Sequence, residues 1–181
     1  DGAQDLIFVF QNQKDPTEIQ AAADKVAQDL TDELGIKVST FVPTNYSATV
    51  QALVSHKADI AYVSSIPYLL AKRDGNATIL LAEQRIDIHG TPRTDYDSVV
   101  VVRDDSPLKT YEDMIEQRQD LRVALTSRTS TSGFVMPYRR FVKEGLLKAG
   151  EDISTLFTSV DYAGGYQQAL QQVLTGRADV C

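Results

Sequence analysis

The sequence predicts an α/β protein of two lobes, and three observations carry that prediction. Short apolar runs alternate with helical patterns along the chain, the signature of a largely parallel sheet with flanking helices. A polar stretch at 83–97 containing Gly90 and Pro92 interrupts this rhythm, which then resumes. A helix-and-strand pattern near the middle of the first half also repeats near the end of the chain.

The elements follow in order. Residues 6–10, LIFVF, form a continuous apolar run and read as a buried strand. Asp15 is a helix cap, Pro16 suits the first helical position, and Glu18 follows three residues after the cap. Ile19, Ala22, Ala23, Val26, Ala27, Leu30 and Leu34 keep helical spacing until Gly35 stops it. Residues 36–42 alternate as a strand, 47–56 form a helix, 58–63 a strand, 67–73 a short helix and 77–82 (ATILLA) another strand. Beyond the polar stretch, SVVVV at 98–102 reads as a strand. A helix at 110–116, a strand at 121–125, a helix at 131–148, a strand at 156–160 and a helix at 166–175 complete the chain. The expected division is a first lobe at 1–96 and a second at 97–181.

The repeat is specific in its details. YSATVQALVSHKADIA at 46–61 aligns with YQQALQQVLTGRADVC at 166–181. Tyr46 and Tyr166 each precede an Ala-Asp pair, Ala58-Asp59 and Ala178-Asp179, by 12 residues. Val50, Leu53 and Val54 match Leu170, Val173 and Leu174 on one helical face. A generic helix–turn–strand pattern would give the same matches, whereas two similarly built lobes would also place a Tyr at the start of each helix. The second copy reaches Cys181 within its strand, so the sequence reads as part of a longer chain.

Composition narrows the function classes. The formal charge of −7 disfavours nucleic acid, whose binding rests on neutralising phosphates with Lys and Arg. Cys181 is the only cysteine, so no internal disulfide is expected. His56 and His89 do not form a metal-ligand pattern, and no metal or cofactor is expected. No apolar run reaches the roughly 20 residues of a membrane span.

The chemistry concentrates at 126–132, TSRTSTS, where every residue but Arg128 carries a hydroxyl. The stretch fills a turn between a strand and a helix. Free backbone N–H groups and the helix dipole make that place attractive to anions. Ser130, Thr131 and Ser132 add O–H donors, and Gly133 allows close approach of the backbone. Pro137 has Gly133 four residues before it, so a bend is expected over 133–137. One hydroxyl would be only a cap; three in succession followed by Gly point further, to a tetrahedral oxyanion. A phosphate-binding loop of nucleotide hydrolases is excluded because no Gly-Lys-Ser/Thr follows. A serine nucleophile lacks both a G-x-S-x-G elbow and a nearby histidine, so no catalytic residue is expected.

Several stretches together resemble the phosphonate/phosphite substrate-binding proteins of ABC transporters, the PhnD-like family. They are VPTNYSATVQALVSHKADIAYVSSIPYLLA (42–71), DYDSVVVV (95–102), STSGFVMP (130–137) and GGYQQALQQVLTGRADV (164–180). The resemblance implies a type 2 periplasmic binding protein fold, whose two lobes hinge closed on the ligand. It implies that Ser130, Thr131 and Ser132 hold the anion from the second lobe, with Tyr46 and Tyr96 facing them. Tyr166 stands where close relatives often carry a histidine, and it cannot become cationic at neutral pH. Read from the residues alone, packing beside their helices is the favoured role of Tyr46 and Tyr166, and Tyr96 reads as a flank of the SVVVV run. Ser64 and Ser65 are either helix caps or ligand contacts. Arg128, His89 and the Lys72-Arg73-Asp74 run are expected at the surface.

The implied function is capture of a phosphonate, phosphite or related oxyanion in the periplasm or otherwise outside the cytoplasm, by a monomer, free or lipid- or membrane-anchored, for delivery to an ABC permease. The alternative is a ligand-sensing domain of the same fold in a membrane-bound signalling protein.

Overall fold

The computed structural model describes residues 5–181. Strand β1 (Leu6–Phe10) lies between β2 (Val38–Phe41) and β3 (Ile60–Tyr62), both parallel to it. Helix α1 (Pro16–Leu34) starts where Asp15 accepts the Thr17 and Glu18 N–H groups. It ends at Gly35, whose φ of 67° suits a residue without Cβ. Helix α2 (Tyr46–Val54) is capped by the Asn45 side chain, and α3 (Ser65–Gly75) follows β3. A two-residue ladder joins β4 (Arg85–Ile86) to β5 (Pro92–Arg93) within the polar stretch. Then come α4 (Tyr111–Glu116), β6 (Arg122–Leu125), a π-helical turn (Thr131–Val135), α5 (Met136–Lys143), β7 (Ser159–Tyr162) and α6 (Tyr166–Leu174).

The internal repeat is a repeat of topology. β6 pairs in parallel with β7 on one side and with Val180 on the other, as β1 does with β2 and β3. The turn after each helix is built the same way. Both Lys57 and Ala58 N–H groups donate to Ala52 O, and both Arg177 and Ala178 donate to Gln172 O. Asp59 accepts the Ile7 N–H at 2.9 Å, and Asp179 accepts the Arg122 N–H at 2.8 Å. His56 and Gly176 occupy the same left-handed corner, at φ 55° and 71°.

The largest apolar cluster supports the second sheet, with Phe141, Leu147, Ile153, Leu156 and Phe157 packed around Val123 and Leu125. Val9, Ala52 and Ala58 form the smaller core of the first sheet.

Four expectations are corrected. Residues 77–82 are not a strand: Ile79, Leu80 and Leu81 are exposed, Leu81 by 89 %, and the segment finds no partner strand among the described residues. The 98–102 run is not a strand either, although Val101 exchanges both backbone hydrogen bonds with Cys181, at 2.8 and 3.0 Å. The expected 131–148 helix begins as a π-turn and stops at Lys143, because Gly145 takes φ 75° and Leu146 N–H returns to Phe141 O. The strand expected at 156–160 lies instead at Ser159–Tyr162, since Leu156 and Phe157 are both buried in succession and close a 3₁₀ turn.

The bend expected over 133–137 is the π-turn. Pro137 has no N–H to give Gly133 O, and the ladder shifts so that Val135 N–H meets Ser130 O and Met136 N–H meets Thr131 O.

Candidate functional site

Four helical N-termini meet between the two sheets. The hydroxyl of Thr131, in the π-turn, accepts the Ile66 N–H of the first turn of α3 at 2.9 Å. Ser132 Oγ lies 2.8 Å from the Tyr166 hydroxyl at the start of α6. Ser130 caps the π-turn through the Gly133 N–H at 3.1 Å. Tyr46, the first residue of α2, brings its phenol beside Tyr166, Gln11 and Ser130. The Thr131–Ile66 bond and the approach of Tyr46 to Ser130 and Tyr166 run between the two halves of the chain, so the hydroxyl loop is part of a contact between the two sheets.

Tyr46 is 0 % exposed, and its hydroxyl has no hydrogen-bond partner. Burial, and next the neighbouring Tyr166 phenol, push its ionisation well above the usual phenol range. It is therefore a neutral donor at any physiological pH. Thr49, one turn along α2, is also fully buried with an unpartnered hydroxyl. An unpaired buried polar group costs about 1–3 kcal/mol. Two of them side by side on one helix face mark a place where the fold alone does not satisfy its own polar groups.

The remaining expected residues fall around this centre. Ser64 sits at the cap position of α3 but makes no side-chain cap bond; its N–H donates to Gln11 Oε1 at 3.1 Å instead. Ser65 is the exposed first residue of α3. Tyr96 is 62 % exposed, with its phenol end near Ser132 and Tyr166. Partial withdrawal from water raises its ionisation, and the Ser132 hydrogen bond opposes the rise. Ser98 Oγ donates to Ser132 O at 2.6 Å and fixes the joint segment to the π-turn. Arg128 is exposed as expected, yet it is not free: it pairs with Asp152 at 3.0 Å and lies 4.6 Å from the centre of the Tyr162 ring. It holds the hydroxyl loop from outside.

Three residues escaped the sequence reading. Gln11 and Asn12 follow β1 directly and are buried, and Thr49 shares the Tyr46 face. The signal was available for the first two, because polar residues at the carboxyl end of a central parallel strand lie where α/β sheets bind ligands.

The electrostatics of the first turns separate these helices from α1 and α4, while α5, which continues the π-turn, has no acidic residue there either. α1 carries Glu18 and α4 carries Glu112 and Asp113 in the first turn, where carboxylates complement the dipole. Neither first turn takes part in the contacts above. α2, α3, the π-turn and α6 have no acidic residue there. Their partial positive ends are left without an internal counter-charge. Among the described residues no group of His, Cys, Asp and Glu could hold a metal ion.

Two parallel sheets with helical N-termini facing each other across a cleft define the class of two-lobed α/β periplasmic binding proteins. The chain belongs to the family of periplasmic phosphonate substrate-binding proteins of ABC transporters, whose sequence model matches residues 8–181. It is 32 % identical over 120 residues to the phosphonates-binding periplasmic protein of Escherichia coli, covering 66 % of this chain and 34 % of that one. It is 26 % identical over 168 residues to the phosphate-import protein PhnD of Mycolicibacterium smegmatis, covering 90 % and 50 %. The fold matches PhnD1 of Prochlorococcus marinus, solved with methylphosphonate, with a TM-score of 0.79 at 20 % identity, over 97 % of this chain and 62 % of that one. The chain thus spans half or less of the length of the two curated relatives.

Proposed function

We propose that this chain is the ligand-capturing part of an ABC importer and holds a phosphonate, phosphite or related oxyanion between its lobes, without catalysis. The carrying observation is the group of four acid-free helical N-termini linked around the unpartnered Tyr46 hydroxyl. In this reading Ser130, Thr131, Ser132 and Tyr166 grip the anion from the second lobe, 97–181. Tyr46, Ser64 and Ser65 grip it from the first, 1–96, and Tyr96 from the joint. Charge-assisted hydrogen bonds contribute about 1.5–3 kcal/mol each, so four or five support roughly micromolar binding after the cost of immobilising the ligand.

The Thr131–Ile66 bond already joins the lobes. Exchange of that contact for ligand oxygens is the step that couples capture to closure. Delivery to a membrane permease, a location outside the cytoplasm and a monomeric state complete the proposal, on the strength of the family. No described helix is long and apolar enough to cross a membrane.

The test is calorimetric titration of the full-length protein with methylphosphonate, 2-aminoethylphosphonate, phosphite, phosphate and sulfate. One clear binder is expected. Absence of heat with all of them sinks the oxyanion reading. The double change Ser130→Ala with Thr131→Ala is expected to weaken that binder about tenfold or more, and an unchanged affinity moves the site elsewhere.

A further inference from the structure

Resting on the oxyanion reading above, we infer that Gln11 is a positioning residue of the anion site: its buried side-chain amide aims the Ser64 hydroxyl at the ligand. Gln11 acts through Ser64 and does not itself grip the anion.

Gln11 follows β1 directly, and its N–H donates to Tyr62 O at 3.0 Å, which carries the pairing with β3 one residue past the strand. The side chain is thereby anchored at the carboxyl end of the central strand, 1 % exposed. From there it reaches Ser64, 53 residues on, through both ends of its amide. Oε1 accepts the Ser64 N–H at 3.1 Å. Only an oxygen can accept that N–H, so the amide has one orientation and Nε2 is left as a pure donor. Nε2 stands 3.2 Å from Ser64 Oγ, and Oε1 stands 3.3 Å from the same oxygen.

Those two distances give the Ser64 proton two destinations. In the ligand-free protein the hydroxyl donates back to Oε1. When an oxyanion arrives, the O–H turns to it, while Nε2 goes on donating to Oγ and keeps that oxygen in place. A hydroxyl that accepts one hydrogen bond while giving another is also the stronger donor. The exchange requires only the rotation of one O–H. Ser64 is placed to use it. It holds the cap position of α3 without making a cap bond, so its oxygen is not committed to the helix. It lines one cavity with Ser65, Tyr96, Ser132 and Tyr166. The Gln11 amide also stands beside the Tyr46 phenol, so one side chain at the end of β1 meets the first turn of α2 and the cap of α3. A mere tie between β1 and α3 would need only the bond to the Ser64 N–H; the Nε2 contact orients the hydroxyl as well.

The test is Gln11→Glu in the full-length protein, titrated beside the unaltered protein with methylphosphonate, 2-aminoethylphosphonate, phosphite, phosphate and sulfate. The carboxylate keeps an acceptor for the Ser64 N–H, lacks the Nε2 donor, and holds the Ser64 proton for itself. At about pH 7.5 the variant is expected to bind about tenfold more weakly or worse than the unaltered protein. A buried carboxyl ionises above the usual Glu range, so by about pH 5 it takes up a proton and becomes a neutral donor, and the ratio of the two affinities should shrink several-fold. Taking the ratio at each pH removes the ligand's own ionisation. A purely structural role would leave the ratio the same at both pH values. A second test applies even if the Glu variant fails to fold. Ser64→Ala and Gln11→Met should each weaken binding about threefold to tenfold, and together little more than either alone. A pH-independent ratio, or losses that add in the double variant, overturns the inference and leaves the oxyanion reading intact. No heat from the unaltered protein with any of the five anions overturns both.

Discussion

The hydroxyls of Ser132 and Tyr166 are 2.8 Å apart and join the first turn of the π-helical segment to the first turn of α6. Tyr166 thereby supports the hydroxyl loop from a helix that begins 34 residues later. Removing only the phenolic oxygen, Tyr166→Phe, is expected to lower ligand affinity about threefold to tenfold, the value of one hydrogen bond. The midpoint of urea unfolding should move little, since the ring stays in place. Calorimetry beside a denaturation curve checks both halves. An affinity equal to that of the unaltered protein would make Tyr166 a packing residue.

Gly133 is fixed by its neighbour across the loop. A Cβ built at Gly133 would stand 2.1 Å from Thr126 Oγ1 and 2.6 Å from Thr126 Cγ2. Thr126 is itself buried beneath the loop, so it has little room to withdraw. Gly133→Ala is expected to destabilise the protein by about 1–3 kcal/mol, the usual cost of overpacking. Thr126→Ala in the same chain should recover part of the loss, because the two closest atoms are gone while Cβ remains at 2.9 Å. A double variant no more stable than Gly133→Ala would place the strain elsewhere.

The sequence exposed the repeated unit well because its signals are local. Asp15 and Gly35 bracket α1, and Tyr46 and Tyr166 each start a helix that ends in the same Ala-Asp corner. It exposed the hydroxyl loop because three consecutive hydroxyls exceed what a cap requires. It failed where long-range pairing decides. ATILLA and SVVVV have strand composition, but composition does not supply a neighbouring strand. It failed also for Gln11, whose importance lies in reaching Ser64 across 53 residues. Gly145 was a legible helix stop that the periodicity of its flanks obscured.

The two corners of the repeat make a matched stability test. His56 and Gly176 hold the same left-handed conformation, which is costly for a residue with Cβ and free for glycine. His56→Gly is expected to stabilise the protein by about 0.5–1 kcal/mol. Gly176→Ala should destabilise it by about 1 kcal/mol through the backbone alone, because the nearest atom to an added Cβ is Arg103 Nη1 at an ordinary 3.7 Å. Urea midpoints of the two variants should therefore move in opposite directions. Movement in the same direction would show that the corners are not equivalent.

The Ala-Asp corner of the second copy also predicts a pH effect. Asp179 accepts two hydrogen bonds from the Arg122 guanidinium, at 2.7 and 3.0 Å, and one from the Arg122 backbone N–H at 2.8 Å. The guanidinium contacts, chiefly, hold its carboxyl below the usual range. A group whose folded-state ionisation is lowered stabilises the fold above its unfolded value, about pH 3.9 for Asp, and loses that contribution as pH falls through the folded value. Because the pair is partly exposed, its worth at neutral pH is about 1 kcal/mol or less. Asp179→Asn should therefore be less stable than the unaltered protein at neutral pH, and the difference should shrink as pH falls below about 4. Urea unfolding across that range measures it. A difference that stays constant into strong acid would assign the effect to the shape of the side chain and not to its charge.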